Sequence, residues 1–152
     1  MDITVRPYRS EDWNDVEAVH DAARRTELKL ANLEAAFVPL KEAAVSEGLF
    51  DYTVLVAERD GKVLGFTAYA GDELAWLYVD PAHHGQGVGT ALVRQVLVEN
   101  TARPMSIEVL CGNEPARGLY EKFGFRMVRT ASGVMPGNER FAVSAWCMKL
   151  EL

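Results

Sequence analysis

Between Tyr52 and Val79 three runs, "YTVLVAE", "VLGFTAYA" and "LAWLYV", carry a period of two with almost nothing between them. Side chains of a strand alternate between faces, so each run is a strand offering apolar residues to a core. The first two are joined by "RDGK", whose Asp60-Gly61 pair suits the backbone of a tight hairpin, and Gly71-Asp72 turns the chain again. Connections this short allow only antiparallel neighbours. The chain is committed to a three-stranded meander, and beyond Val79 it has to leave that meander by another route.

The flanking segments change period. "ITVR" (3–6) reads as a short strand, and Ser10 as the cap of a helix whose positive end Glu11 and Asp12 favour. Trp13, Val16, His20 and Ala23 then recur at spacings of three and four, which makes one apolar stripe. His20 lies on it and reads as a packed or hydrogen-bonded histidine. Leu30, Leu33, Phe37, Leu40 and Ala44 continue in helical register, but Pro39 removes a backbone donor and disfavours helix at Val38. Two helical pieces or a kink are expected, ending at Gly48.

After the meander, Val88, Ala91, Leu92, Val96 and Leu97 mark an amphipathic helix to about Asn100, followed by a strand, "MSIEVLC" (105–111). "EPARGLYEKF" is a helix capped by Asn113 and ended by Gly124. "FRMVRT" and "FAVSAWCMKL" read as two strands around a polar loop, 131–141. The order β-α-α-β-β-β-α-β-α-β-β predicts an α/β (α+β) fold: a mixed, mostly antiparallel sheet of about seven strands flanked by about four helices. Residues 1–152 are expected to form a single domain.

Composition narrows the partners. Hydrophobic residues make up 49% and charged residues 25%, and no apolar run approaches membrane-spanning length. The start, "MDITVRPYRSEDW", lacks a signal-peptide pattern, so a cytoplasmic protein without a membrane partner is expected. Cys111 and Cys147 read as reduced, buried thiols. The net charge of −6 argues against a nucleic-acid groove, and −5 of it lies in residues 1–51. A solvated acidic helical face explains this run; a surface that attracts a cationic partner is the sharper reading.

"HHGQGVGTAL" (83–92) stands where the last meander strand gives way to a helix. Gly85, Gly87 and Gly89 bare the backbone at the helix mouth, where N–H groups lack intrahelical partners and the dipole adds positive potential. Such a mouth binds phosphates. A Walker loop would need Lys then Ser or Thr after its last glycine, and here Thr90 and Ala91 follow Gly89. A dinucleotide fingerprint would need glycine at the sixth position, which is Thr90. His83 and His84 are adjacent and diverge, and no third ligand has metal-like spacing, so no metal is expected.

"YVDPAHHGQGVGTALV" closely resembles the acyl-coenzyme A loop of the GNAT N-acyltransferase superfamily, whose pattern of Arg or Gln, two residues, Gly, one residue, Gly or Ala runs here from His84 through Gly87 to Gly89. His84 departs from the usual Arg or Gln. "NEPARGLYEKFGF" matches the family's downstream block through Asn113, Ala116, Tyr120 and Gly124-Phe125. The resemblance implies that His84, Gly85, Gln86, Gly87, Val88, Gly89 and Thr90 hold the diphosphate of acetyl-CoA. It implies that the backbone of Leu77, Tyr78 and Val79 meets the pantetheine arm, with Asn113, Ala116 and Tyr120 also against the coenzyme. Tyr120, on the same side of its helix as Asn113, is the implied general acid, although its place on an apolar stripe also suits a core residue. Glu73 is the candidate base and Glu108 the other carboxylate considered. Arg94, Arg103, Arg117 and Lys122 lie near enough in sequence to meet the coenzyme's ribose phosphate or to be ordinary surface charge.

The implied activity is transfer of an acetyl group from acetyl-CoA to a primary amine by direct attack in a ternary complex. A small molecule or peptide acceptor, cationic if the acidic N-terminal third recognises it, would rest between the N-terminal helices and residues 131–141. A non-catalytic acyl-CoA-binding regulatory module on the same fold is the alternative, and a nucleotide-binding protein runs third. The two C-terminal strands are compatible with a homodimer.

Overall fold

The computed structural model describes residues 2–151. Its seven strands are β1 (Thr4–Pro7), β2 (Thr53–Arg59), β3 (Lys62–Ala70), β4 (Glu73–Val79), β5 (Met105–Leu110), β6 (Arg126–Met135) and β7 (Asn138–Leu150). Its four α-helices are α1 (Trp13–Leu30), α2 (Leu40–Ser46), α3 (Val88–Glu99) and α4 (Glu114–Lys122). The strands form one sheet in the order β1-β2-β3-β4-β5-β7-β6. Every pairing is antiparallel except β4 with β5. This is the mixed α/β sheet expected, and no helix among the described residues is long and apolar enough to cross a membrane.

The meander forms as the alternation requires. Asp60 (φ 55°) and Gly61 (φ 77°) both take left-handed backbone, so a two-residue turn closes β2 onto β3. Val56, Phe66, Ala68 and Trp76 then join Val16, Val19, Leu40 and Leu49 in a core under α1 and α2. The other face carries Leu55, Leu74, Ile107, Val109 and Met148 against Val93 and Val96 of α3 and Tyr120 of α4. Helices therefore cover both faces, one pair each.

The parallel pair positions the site. β4 and β5 are in register only at Glu73↔Ser106, near the start of both strands. The connection through α3 sets them parallel, and beyond that point they diverge toward Val79 and Leu110. The result is a V-shaped opening in the middle of the sheet. The β4 edge that faces it has no sheet partner past Glu73 among the described residues.

Three expectations need correction. Residues 131–141 are not a polar loop: β6 runs to Met135, β7 starts at Asn138, and Gly137 (φ 76°) sits in the turn between them. Ser10 does not cap α1; it lies in a 3₁₀ turn (Ser10–Asp12), and its hydroxyl bonds the Glu11 carboxylate at 2.8 Å. Asp12 does the local work, accepting from the Arg9 N–H at 2.8 Å and from both terminal nitrogens of Arg6. Cys111 lies just past β5 and is half-buried, while Cys147 is buried; both are free thiols. The apolar register of residues 30–44 divides among the end of α1, a 3₁₀ turn (Glu34–Ala36) and α2, with Pro39 as the α2 cap.

Candidate active site

A cleft of about 660 Å³ opens where the strands separate, between the mouth of α3, the first turns of α4 and the C-terminal half of α1. Leu77, Tyr78, Val79, His84, Gly85, Gly87, Val88, Gly89, Thr90, Asn113 and Ala116 all line it. The fold brings together at this cleft residues from Ala23 to Lys122, as much as 99 positions apart in the chain.

The loop is built for backbone exposure. Asp80 accepts from the Ala82 N–H at 3.0 Å and starts a 3₁₀ turn. Gly85 (φ 76°) and Gly87 (φ 87°) then take left-handed backbone to swing the chain into α3, a conformation a β-carbon resists. The first α3 hydrogen bond runs from the Ala91 N–H to the Gly87 carbonyl at 3.0 Å. Among the described residues the N–H groups of Gly85 through Thr90 find no acceptor in the protein. Together with the dipole of α3 they make a concave anion site.

The two histidines part company, as adjacent side chains do. His84 Nε2 lies 3.1 Å from the Val79 carbonyl, which ties the loop to the end of β4. His83 Nδ1 lies 3.2 Å from an Arg59 guanidinium nitrogen, and the same nitrogen donates to Gln86 Oε1 at 2.7 Å. The Gln86 side chain thus turns toward the β2–β3 hairpin and does not line the cleft. Among the described residues no group of three His, Cys, Asp or Glu side chains is placed to hold a metal ion.

Asn113 caps α4, its side-chain oxygen accepting from the Ala116 N–H at 3.2 Å. Its amide nitrogen donates to Glu27 Oε2 at 2.8 Å. Tyr120, two turns further along α4, is 3% exposed, and its ring packs on Phe125 with centroids 5.7 Å apart. The ring is a core residue. Its hydroxyl makes no hydrogen bond among the described residues and lies in the field of two cleft-lining side chains. Burial first, then the Glu27 carboxylate, then Tyr78 push it well above the ordinary tyrosine range, so it stays protonated at neutral pH.

Glu73 stands elsewhere, at the closed end of the V, where its carboxylate accepts from the Tyr52 hydroxyl at 3.3 Å. Glu108 is exposed in the middle of β5. Neither lines the cleft. Lys122 lines it, whereas Arg94, Arg103 and Arg117 do not. Arg117 instead stacks on the Trp146 ring at 4.9 Å and pairs with Glu121.

Sequence reasoning missed the charged pair inside the site. Arg24 Nη1 donates to Glu27 Oε1 at 2.5 Å, with side-chain exposures of only 20% and 14%. Arg24 also reaches Met135 Sδ at 3.2 Å, and the Tyr78 ring packs edge-on against His20 at 4.9 Å. The signal was present in the stripe on α1: the step after His20 and Ala23 falls on Glu27, a charge where an apolar residue belongs.

Chemically, the arrangement can hold an anionic group at the mouth of α3 and lay an extended chain along the free edge of β4; Tyr120 is buried next to Leu119 and is not itself among the residues that line the cleft. Residues 50–127 match the family model described as an acetyltransferase (GNAT) domain. Over 138 residues the chain is 35% identical to the peptidyl-lysine N-acetyltransferase YjaB of Escherichia coli K12, spanning 84% of each protein. The fold matches the GCN5-related N-acetyltransferase of Rhodopseudomonas palustris with a TM-score of 0.78 at 22% identity, covering 98% of this chain and 95% of that one. It matches the apo form of Escherichia coli YjaB with a TM-score of 0.74 at 22% identity, covering 98% and 97%. The protein is thus an acetyl-CoA-dependent acyltransferase. The chain belongs to the GNAT family of N-acetyltransferases.

Proposed function

We propose that this chain transfers the acetyl group of acetyl-CoA to the side-chain amine of a lysine in a peptide or protein, by direct attack within a ternary complex. The carrying observation is the run of N–H groups from Gly85 to Thr90 without protein acceptors, continuous with the unpaired edge of β4. These groups suit a diphosphate followed by an amide-containing arm, because each can supply a donor at a fixed place. The backbone from Leu77 to Val79 binds the arm in strand fashion, and Asn113 and Ala116 form the opposite wall.

Tyr120 donates the proton. As the amine nitrogen bonds to the carbonyl carbon and the carbon–sulfur bond breaks, the departing thiolate takes the phenolic proton. The attacking amine sheds its proton to water in the open cleft; Glu73, at the closed end of the V and bonded to the Tyr52 hydroxyl, is not placed to take it. Holding both reactants in one cleft supplies much of the acceleration, so no covalent enzyme intermediate is needed.

The lysine acceptor rests on two supports: the activity carried in the name of the 35%-identical relative, and the acidity of residues 1–51. Opposite charge speeds the approach of a cationic peptide and weakens with salt. The test is turnover of acetyl-CoA with a panel of lysine peptides, peptide N-termini, polyamines and neutral amines, read by product mass. Lysine peptides should lead the panel, and added salt should slow them more than it slows neutral amines. Acetyl-CoA binding without turnover of any amine would leave a non-catalytic acyl-CoA-binding module instead.

A further inference from the structure

The Arg24–Glu27 pair sits where α1, α4 and the β6–β7 hairpin converge on the cleft. Glu27 lines the cleft, and both of its oxygens are engaged, one by Arg24 at 2.5 Å and one by the Asn113 amide at 2.8 Å. Arg24 reaches on to Met135 at the end of β6. Next to this contact the backbones touch: a β-carbon on Gly112 would lie 2.9 Å from the Leu30 carbonyl oxygen. The end of α1 therefore presses directly on the turn that starts α4. Helix α4 has only nine residues, and Tyr120 lies seven residues beyond Asn113. A small rotation at its first turn therefore reaches the tyrosine almost undiminished.

A surface ion pair contributes little, and a pair this deep needs a reason, since taking two charges out of water costs more than their attraction returns unless further hydrogen bonds complete them. Here the completing bond is the one to Asn113. We infer that Arg24 and Glu27 are positioning residues for the transfer: Glu27, braced by Arg24, grips Asn113 and so sets the rotation of α4 and the place of the Tyr120 hydroxyl against the cleft. This rests on Tyr120 as the proton donor. The other titratable or charged groups around the pair are His20 on α1, Glu47 at the end of α2, Tyr78 on β4, and Glu114 and Lys122 on α4. No second carboxylate is bonded to Asn113 among the described residues, so Glu27 alone sets that contact.

Asn113→Asp and Glu27→Gln, singly and together, provide the test, with kcat read at saturating acetyl-CoA and lysine peptide. Aspartate caps a helix as well as asparagine does, so the cap is preserved while carboxylate now faces carboxylate. Asn113→Asp should lower kcat about tenfold, the scale of a displaced proton donor. Glu27→Gln has one acceptor oxygen for the two donors Arg24 and Asn113, so an NH2 faces a donor and kcat should also fall about tenfold. The double variant restores a donor–acceptor pair with the roles exchanged, and should recover kcat to within about threefold. A structural role would move melting temperature and leave kcat of the folded enzyme in place. Unchanged kcat in Asn113→Asp, or failure of the double variant to recover, overturns the inference. Tyr120→Phe separates the two readings: if it keeps full kcat, the donor assignment fails; if it loses kcat while Asn113→Asp does not, only the positioning role fails.

Discussion

Substituting alanine for Gly87 isolates the contribution of backbone shape at the α3 mouth. Gly87 has φ 87°, and a β-carbon there would meet nothing within 4 Å. No clash therefore contributes, and the cost is that of left-handed backbone in an L-residue, about 1–2 kcal/mol. Two responses share that strain. If the loop keeps its shape, stability falls by that amount, which for a chain of this size lowers Tm by about 2–8 °C. If the loop rotates toward negative φ, the N–H groups of Val88 and Gly89 turn with it and acetyl-CoA affinity falls about 5–30-fold. The first turn of α3 resists rotation, because Val88 is 1% exposed and a Gly89 β-carbon would already stand 3.0 Å from Leu119. Both effects are expected, with about a tenfold affinity loss by calorimetry. Gly71 is the control: φ is 55°, an added β-carbon is equally free, and the residue turns the chain at the opposite end of β4. Gly71→Ala should lose a similar amount of Tm and bind acetyl-CoA like the parent. Equal affinity in the two variants would refute the assignment of these amides to the diphosphate.

Tyr120→Phe should lower kcat by about 10²–10⁴-fold at near-unchanged acetyl-CoA affinity, since it removes one proton and little volume; undiminished single-turnover rates would sink the donor role. Burial, opposed by the Asp21 carboxylate at 2.9 Å, holds the His20 pKa below its ordinary value, so the unfolded chain binds the proton more readily. That contribution is complete above about pH 6.5 and is lost as pH falls through the lower folded value, so urea titrations of His20→Gln should show a shallower decline between about pH 7.5 and 5.5. Asp12 is depressed by its hydrogen bonds with Arg6, and its contribution disappears only further into acid as the pH falls through that lowered value, which keeps the two windows apart. Arg24→Leu leaves Glu27 uncompensated and should destabilise by about 3–5 kcal/mol, more than replacing both residues by leucine; the reverse order in denaturant midpoints would contradict a buried, mutually dependent pair. Phe125→Ala opens a cavity beneath Tyr120 and should cost about 3–5 kcal/mol by the same assay.

How much could be read in the sequence depends on where each feature keeps its information. The meander was legible because each of its strands has one buried face, and the alternation records that face. Strand β6 is exposed at eight of its ten positions, lies at the edge of the sheet and carries no alternation, so "ASGVMPGNER" reads as loop although it forms the tip of a hairpin. The anion loop was legible for the opposite reason: it works through backbone, and a site made of backbone announces itself by the side chains it lacks, at Gly85, Gly87 and Gly89. The rest of the cleft is made by side chains from elements that the fold alone brings together. Asn113 and Glu27 are 86 positions apart, and nothing local in either segment names the other. What each segment does show is a residue out of pattern, a carboxylate on an apolar stripe and an asparagine whose cap uses only half of its hydrogen-bonding capacity. Each irregularity has an ordinary explanation when taken alone. Placed on opposite walls of one opening they complete each other, and so a polar intrusion on a buried face of one element is best read together with any cap residue whose second group is still to be satisfied.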